Sequence, residues 1–162
     1  MGLQSLKEII SIHPLFVHFP IALLLLSAVF YGAGALFKNE NLTQAGRWTL
    51  YAGMLSAVIA VLTGIKAEST VEHDEEAHEI MELHEKLGYI ILALSAALSA
   101  WTLAVKSAIP SKGRIVFFAG LIVLSLVIIQ QADLGGRLVF LKGIGVGKKS
   151  MLQEDGHSHD HH

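Results

Sequence analysis

The sequence contains no cysteine and little charge, with only 16% Asp, Glu, Lys and Arg among its 162 residues. Without cysteine, the chain can form no disulfide, thiolate metal site, iron–sulfur cluster or covalently attached c-type haem. Soluble domains carry about 25% charged residues, so the low charge indicates a chain that lies largely in lipid. The net charge of −2 and the lack of a basic stripe argue against nucleic acid as a partner.

The sequence contains four long apolar runs, at about 15–37, 48–66, 86–105 and 114–132, and charged residues lie only at their ends. A helix of about 20 residues crosses the hydrocarbon core of a bilayer and satisfies its own backbone there. Short links predict that neighbouring helices pack antiparallel. We therefore predict an all-α integral membrane four-helix bundle of up-down topology. It forms one domain over residues 1–147, followed by a disordered, histidine-rich tail at 148–162.

Four spans put the N-terminus, the link between spans two and three, and the C-terminal tail on one side of the membrane, called side A here. All nine histidines fall on side A. The short links on the opposite side, side B, are rich in cations: Lys38, Arg47, Lys106, Lys112 and Arg114. The positive-inside rule then favours side B as cytoplasmic and side A as periplasmic or extracellular, in a prokaryotic inner membrane.

Histidine is rare in membrane spans and usually has a function there. His13 and His18 lie at the start of span one, and Pro20 predicts a kink that would aim His18 differently from a plain helical residue. His84 opens span three at the same depth. It begins the most polar and smallest face of that span, which should point into the bundle: Gly88, Ile91, Ser95, Ser99 and Thr102.

Two imidazoles on different helices, with a slot between them, are what a b-type haem requires. We predict haem b between spans one and three, with His18 and His84 as iron ligands. His13 or His78 would assist. Gly88 would leave space beside the imidazole, and Arg137, just after span four, would pair with a propionate. The competing interpretation is that these histidines only bind backbone or water at the membrane interface.

A divalent metal is the alternative, because the acidic link before span three contains His73, Glu75, His78 and Glu82 at helical spacings. Imidazole and carboxylate suit Zn, Cu or Ni. Eight of the fourteen acids lie in this region, however, and dense charge is usually a solvated helix or loop. The tail histidines at 157–162 would bind metals only weakly. A structural subunit without a cofactor is the second alternative.

Three motifs carry a resemblance to a known family: His-Pro-Leu-Phe-Val-His-Phe-Pro at 13–20, His84, and Gly-Gly-Arg-Leu-Val-Phe at 135–140 before the glycines at 143–147. From about residue 13 to 147, the chain resembles the membrane family called domain of unknown function 2231. The resemblance implies a protein similar in outline to small four-helix membrane cytochromes, an electron carrier or binding protein rather than a bond-making enzyme. Expected partners are the lipid bilayer and a quinone or redox protein; a homo-oligomer stays open.

Overall fold

The computed structural model describes the backbone at 13–68, 75–105 and 113–140, with side chains at 16–65, 78–105 and 113–139. Helix is the only regular structure in these ranges, as α1 (His13–Leu36), α2 (Glu40–Glu68), α3 (Glu75–Val105) and α4 (Arg114–Phe140). Each contains a segment long and apolar enough to cross a membrane: Phe16–Leu36, Glu40–Ile65, His78–Val105 and Arg114–Val139. The prediction of an all-α membrane bundle is confirmed.

The helices extend beyond the predicted spans. α2 begins at Glu40 instead of 48, α3 at Glu75 instead of 86, and α4 continues to Phe140 instead of 132. Charges end an apolar run but not a helix, because they can pair with each other one turn apart. Such i,i+4 ion pairs join Glu82 to Lys86 at 2.7 Å and Asp133 to Arg137 at 2.8 Å. The segment at 133–137, predicted to leave span four, is therefore part of α4; the tail at 148–162 lies outside the described residues.

A three-residue turn at 37–39 reverses the chain between α1 and α2. Lys38 takes the left-handed conformation, with a φ of 52°. The side-chain oxygen of Asn39 accepts hydrogen bonds from the backbone N–H groups of Asn41 at 2.9 Å and Leu42 at 3.3 Å. Asn39 thus caps the free N–H groups at the start of α2. The tight turn makes α1 and α2 antiparallel neighbours.

The small residues of α2 bring its backbone close to α1. A Cβ atom added to Gly46 would lie 3.0 Å from the backbone nitrogen of Tyr31, and one added to Gly53 would lie 2.6 Å from Cδ2 of Leu24. The hydroxyl of Ser27 donates to the Gly46 carbonyl at 2.9 Å. Small residues allow this close approach in membrane helices. The stripe of α2 that contains Gly46 and Gly53 therefore serves helix packing.

The four helices form a square in which α1 and α3 each pack against both α2 and α4. α1 and α3 therefore lie at diagonally opposite corners. At the centre, Tyr31 of α1 meets Phe117 of α4 edge to face, with ring centroids 4.9 Å apart. The remaining core residues are aliphatic: Leu24, Leu50, Ile91, Leu98, Leu121, Leu124 and Ile128.

Substitutions at two glycines of α1 can test its close packing against α2. A Cβ atom on Gly34 would lie against the Thr43 hydroxyl and 2.8 Å from the Thr43 backbone nitrogen, whereas one on Gly32 meets nothing within 4 Å. We expect Gly34→Ala to lower the free energy of unfolding by about 1–3 kcal/mol, because backbone in a tight turn cannot yield. Gly32→Ala should leave it unchanged or slightly raised. Denaturant unfolding of the detergent-purified protein measures both; equal effects would contradict the described close approach.

Candidate cofactor site

His84 lies on α3 and turns its ring towards α4. The side chain is half-buried, and its Nδ1 atom is fully buried. The ring atom Cε1 lies 3.1 Å from where a Cβ atom on Gly135 would be. Any larger residue at 135 would meet the imidazole, so the glycine makes room for this ring. Sequence spacing predicted that His84 points into the bundle, and its position beside α4 agrees with that prediction.

The rest of the predicted polar face of α3 is also buried. Gly88, Ile91, Ser95, Ser99 and Thr102 all face the interior. Gly88 does not border an open slot, however. A Cβ atom there would lie 3.1 Å from Nε2 of Gln131 and 3.9 Å from Cγ2 of Val61. The Gln131 amide therefore fills the space that was predicted beside the imidazole.

Gln131 of α4 is a member of the site that sequence spacing did not single out. Its amide nitrogen donates a long hydrogen bond, 3.4 Å, to the backbone carbonyl of His84. The only sequence signal was a pair of glutamines, Gln130 and Gln131, near the end of an otherwise apolar run. Because the contact with Gly88 involves the far end of a flexible side chain, Gln131 can turn away and reopen the space there.

His18 faces away from the bundle interior. The buried stripe of α1 runs through Pro20, Leu24, Ser27 and Tyr31, whereas His18 is exposed. It shares the outward face with Ala22, Val29 and Gly32, which are exposed as well. α1 continues as one helix through Pro20, so the expected kink does not turn His18 inward. The described side chains thus do not bring His18 towards His84.

Position 13 differs from position 18 in its place in the helical register of α1. The helix begins at His13, whose side chain lies outside the described residues. Position 13 precedes Tyr31 by 18 residues, and Gly135 follows Phe117 by 18 residues. Because Tyr31 packs on Phe117 and the two helices are antiparallel, position 13 is level with Gly135, the neighbour of His84. Helical spacing also assigns position 13 to the stripe of Pro20, Leu24 and Tyr31.

Arg137 lies on the same end of α4, where it is exposed and paired with Asp133 at 2.8 Å. Both line a cleft of about 240 Å³ between α3 and α4, together with Leu83, Leu87, Gln130 and Leu134. The volume is below the ~300–1,000 Å³ that is typical of small-molecule sites. A propionate at Arg137 would have to compete with the Asp133 carboxylate, a contact that the sequence prediction did not include.

The predicted divalent-metal set is not assembled among the described side chains. His73 and the side chain of Glu75 lie outside them, and His78 and Glu82 are exposed. The Glu82 carboxylate is paired with Lys86 at 2.7 Å. Within the part of the chain that is described, no three His, Asp or Glu residues come together so that they could hold a metal ion. The metal alternative stays a prediction.

Comparison with known proteins agrees with this membrane architecture. A family model described as predicted membrane protein (DUF2231) matches residues 9–148, which is most of the chain. The match confirms the family resemblance that the sequence motifs indicated. No curated protein and no solved structure matches the chain.

Adjacent glycines in α4 test the position of the His84 ring. A Cβ atom on Gly136 meets nothing within 4 Å, in contrast to one on Gly135. We expect Gly135→Val to displace the imidazole and to shift its ring ¹⁵N signals in NMR spectra of the histidine-labelled protein. Gly136→Val, the matched control, should leave these signals in place. Unshifted His84 signals in Gly135→Val would contradict the described contact.

Proposed function

The chain belongs to the DUF2231 family of predicted membrane proteins, and we propose that it binds haem b at the side-A end of the bundle and acts in electron transfer or redox coupling. The observation that carries the proposal is the position of His84. Its imidazole lies between α3 and α4 beside Gly135, in the same layer as position 13 of α1. Haem supplies one-electron chemistry when bound, and the protein supplies the ligands and the surroundings that tune it.

His13 is the better candidate than His18 for the second iron ligand. Two axial imidazoles must approach the iron from within the bundle. His18 is exposed on the outward face of α1, whereas position 13 belongs by helical register to the stripe that packs inward. We therefore propose His84 and His13 as the two iron ligands, whereas the sequence alone predicts His84 and His18.

Three glycines lie around this layer. Gly64 of α2, itself half-buried, follows the buried stripe of that helix, while Gly135 and Gly88 border His84 from α4 and from the next turn of α3. Gln131 would move away from Gly88 when haem binds. Arg137 would exchange Asp133 for a propionate. A quinone in the bilayer or a redox protein on side A would be the electron partner.

Absorption spectra of the detergent-purified protein, expressed with ample haem, test the proposal. We expect a Soret band in the unaltered protein and its loss in His84→Ala and His13→Ala, because each removes an axial ligand. His18→Ala and His159→Ala should retain the band and serve as matched controls. Loss of the band in His18→Ala but not in His13→Ala would restore the original ligand pair. If the unaltered protein has no Soret band, the haem proposal is wrong, and a divalent-metal binder and a structural subunit without cofactor remain as the two alternatives.

We also propose that side A, with its histidines, faces the periplasm or the outside of a prokaryotic inner membrane. The support is the cation Lys38 in the short turn at side B, followed by Arg47 in α2 and by Arg114 at the start of α4. A cofactor on side A would then exchange electrons with a periplasmic partner or with a quinone.

The lack of cysteine makes this orientation directly measurable, because a single introduced cysteine is the only labelled thiol. In intact cells, we expect a membrane-impermeant maleimide to label Glu79→Cys on side A and to spare Lys38→Cys on side B. Both side chains are exposed in the bundle, so both should react after permeabilisation, which is the control. The reverse pattern in intact cells would show that the histidine end is cytoplasmic.

A further inference from the structure

The cleft between α3 and α4 opens to the outside of the bundle at the level of the lipid headgroups. Of its six lining residues, Leu83, Gln130, Asp133 and Arg137 are exposed. Asp133 follows Arg114, at the side-B start of α4, by 19 residues, which is about 29 Å of helix at 1.5 Å per residue. The hydrocarbon core is about 30 Å thick, so Asp133 and Arg137 lie where this core ends on side A.

The lining residues of the cleft are ordered by depth. The ion pair of Arg137 and Asp133 lies at the outer end, with Nη2 and Oδ2 2.8 Å apart. Gln130 is about one turn deeper on the same helix, and its amide can donate hydrogen bonds. Leu83 and Leu87, one turn apart, form the apolar wall on α3. A phospholipid has the same order from outside to inside: a charged headgroup, ester carbonyls and hydrocarbon.

The ion pair distinguishes between kinds of headgroup. The Arg137 guanidinium matches a phosphate, but the neighbouring Asp133 carboxylate repels a lipid that has only a negative charge. A zwitterionic headgroup supplies a cation for Asp133 as well. An ethanolamine ammonium has three N–H donors for that carboxylate, as a lysine ammonium has. A choline has no N–H group and is bound by aromatic cages, whereas none of the described residues that line the cleft is aromatic.

We propose that the cleft binds phosphatidylethanolamine from the side-A leaflet. The phosphate would contact Arg137 and the ammonium Asp133, while Gln130 would donate to an ester carbonyl. The first carbons of an acyl chain would lie on Leu83 and Leu87. The cleft volume of about 240 Å³ then has to admit only this part of the lipid, because the rest stays in the bilayer. Arg137 has five N–H donors, so it can bind this phosphate in addition to the proposed haem propionate.

Native mass spectrometry of the full-length protein tests the headgroup, with release from micelles that contain equal amounts of phosphatidylethanolamine and phosphatidylcholine with identical chains. We expect the unaltered protein to retain phosphatidylethanolamine over phosphatidylcholine by roughly twofold to fivefold, as for an exposed ion pair. Asp133→Asn should abolish this preference, because it removes the partner of the ammonium. Arg137→Gln should lower the retention of both lipids, because both contain the phosphate.

Glu82→Gln is the matched control. It breaks an exposed ion pair of the same i,i+4 spacing, Glu82 with Lys86 at 2.7 Å, and neither residue lines the cleft. The preference should therefore be unchanged in this variant. Equal retention of the two lipids by the unaltered protein, or an equal loss of preference in Glu82→Gln, would overturn the proposal.

The shape of the cleft is tested without any change of charge. Leu83→Trp should fill the cleft and lower the retention of phosphatidylethanolamine, whereas Leu126→Trp, at an exposed position of α4 outside the cleft, should not. Equal effects of the two substitutions would contradict a site in the cleft. Displacement of the bound lipid by an added short-chain quinone would assign the cleft to a quinone and overturn the proposal.

The haem proposal uses neither Asp133 nor Leu83, so the two proposals can fail separately. Asp133→Asn and Leu83→Trp should both keep the Soret band that the haem proposal expects. A protein that prefers phosphatidylethanolamine but lacks a Soret band contradicts only the haem proposal. A Soret band without any preference between the two lipids contradicts only the lipid proposal.

Discussion

The close approach of α1 and α2 determines where every other part of the bundle lies. Gly34, Gly46 and Gly53 remove side chains where the two backbones would otherwise collide, and this fixes the register of the hairpin. With that register set, Tyr31 meets Phe117 of α4. From this contact, the antiparallel helices bring position 13 level with Gly135 and therefore with His84. The layer of the candidate cofactor site is thus a consequence of glycine packing some 18 residues away.

The inward face could be predicted for α3 but not for α1, and the reason is physical. α3 has small and polar residues on a single face, and in a membrane such a face turns away from lipid. α1 is apolar on all sides, so no contrast in hydropathy separates its lipid face from its core face. His18 is the conspicuous polar residue of this apolar run, and it therefore predicts an interior position that the structure does not give it. Its position near the helix end lets an exposed imidazole reach the headgroup region without any need for the interior.

The sequence also does not predict which residues of different helices contact each other. From the sequence, Gly88 predicts open space beside the helix. The side-chain amide of Gln131, 43 positions further along the chain, occupies that space. Tyr31 of α1 lies beside Thr102 of α3, and no spacing within one helix predicts a pair on two helices. Periodicity gives the faces of single helices, but partners across the bundle depend on the register between helices, and glycine contacts set this register.

An apolar layer separates the two polar ends of the bundle. Leu24, Leu121, Leu124 and Ile128 fill the interior between the level of His84 and that of the buried Tyr31, Ser99 and Thr102. Ser95, the one hydroxyl on α3 within this layer, donates to the Leu92 carbonyl of its own helix at 3.1 Å and so does not extend either end. If the proposed cofactor takes up a proton together with an electron, we expect that proton to come from side A, because the interior at this level is filled by aliphatic side chains.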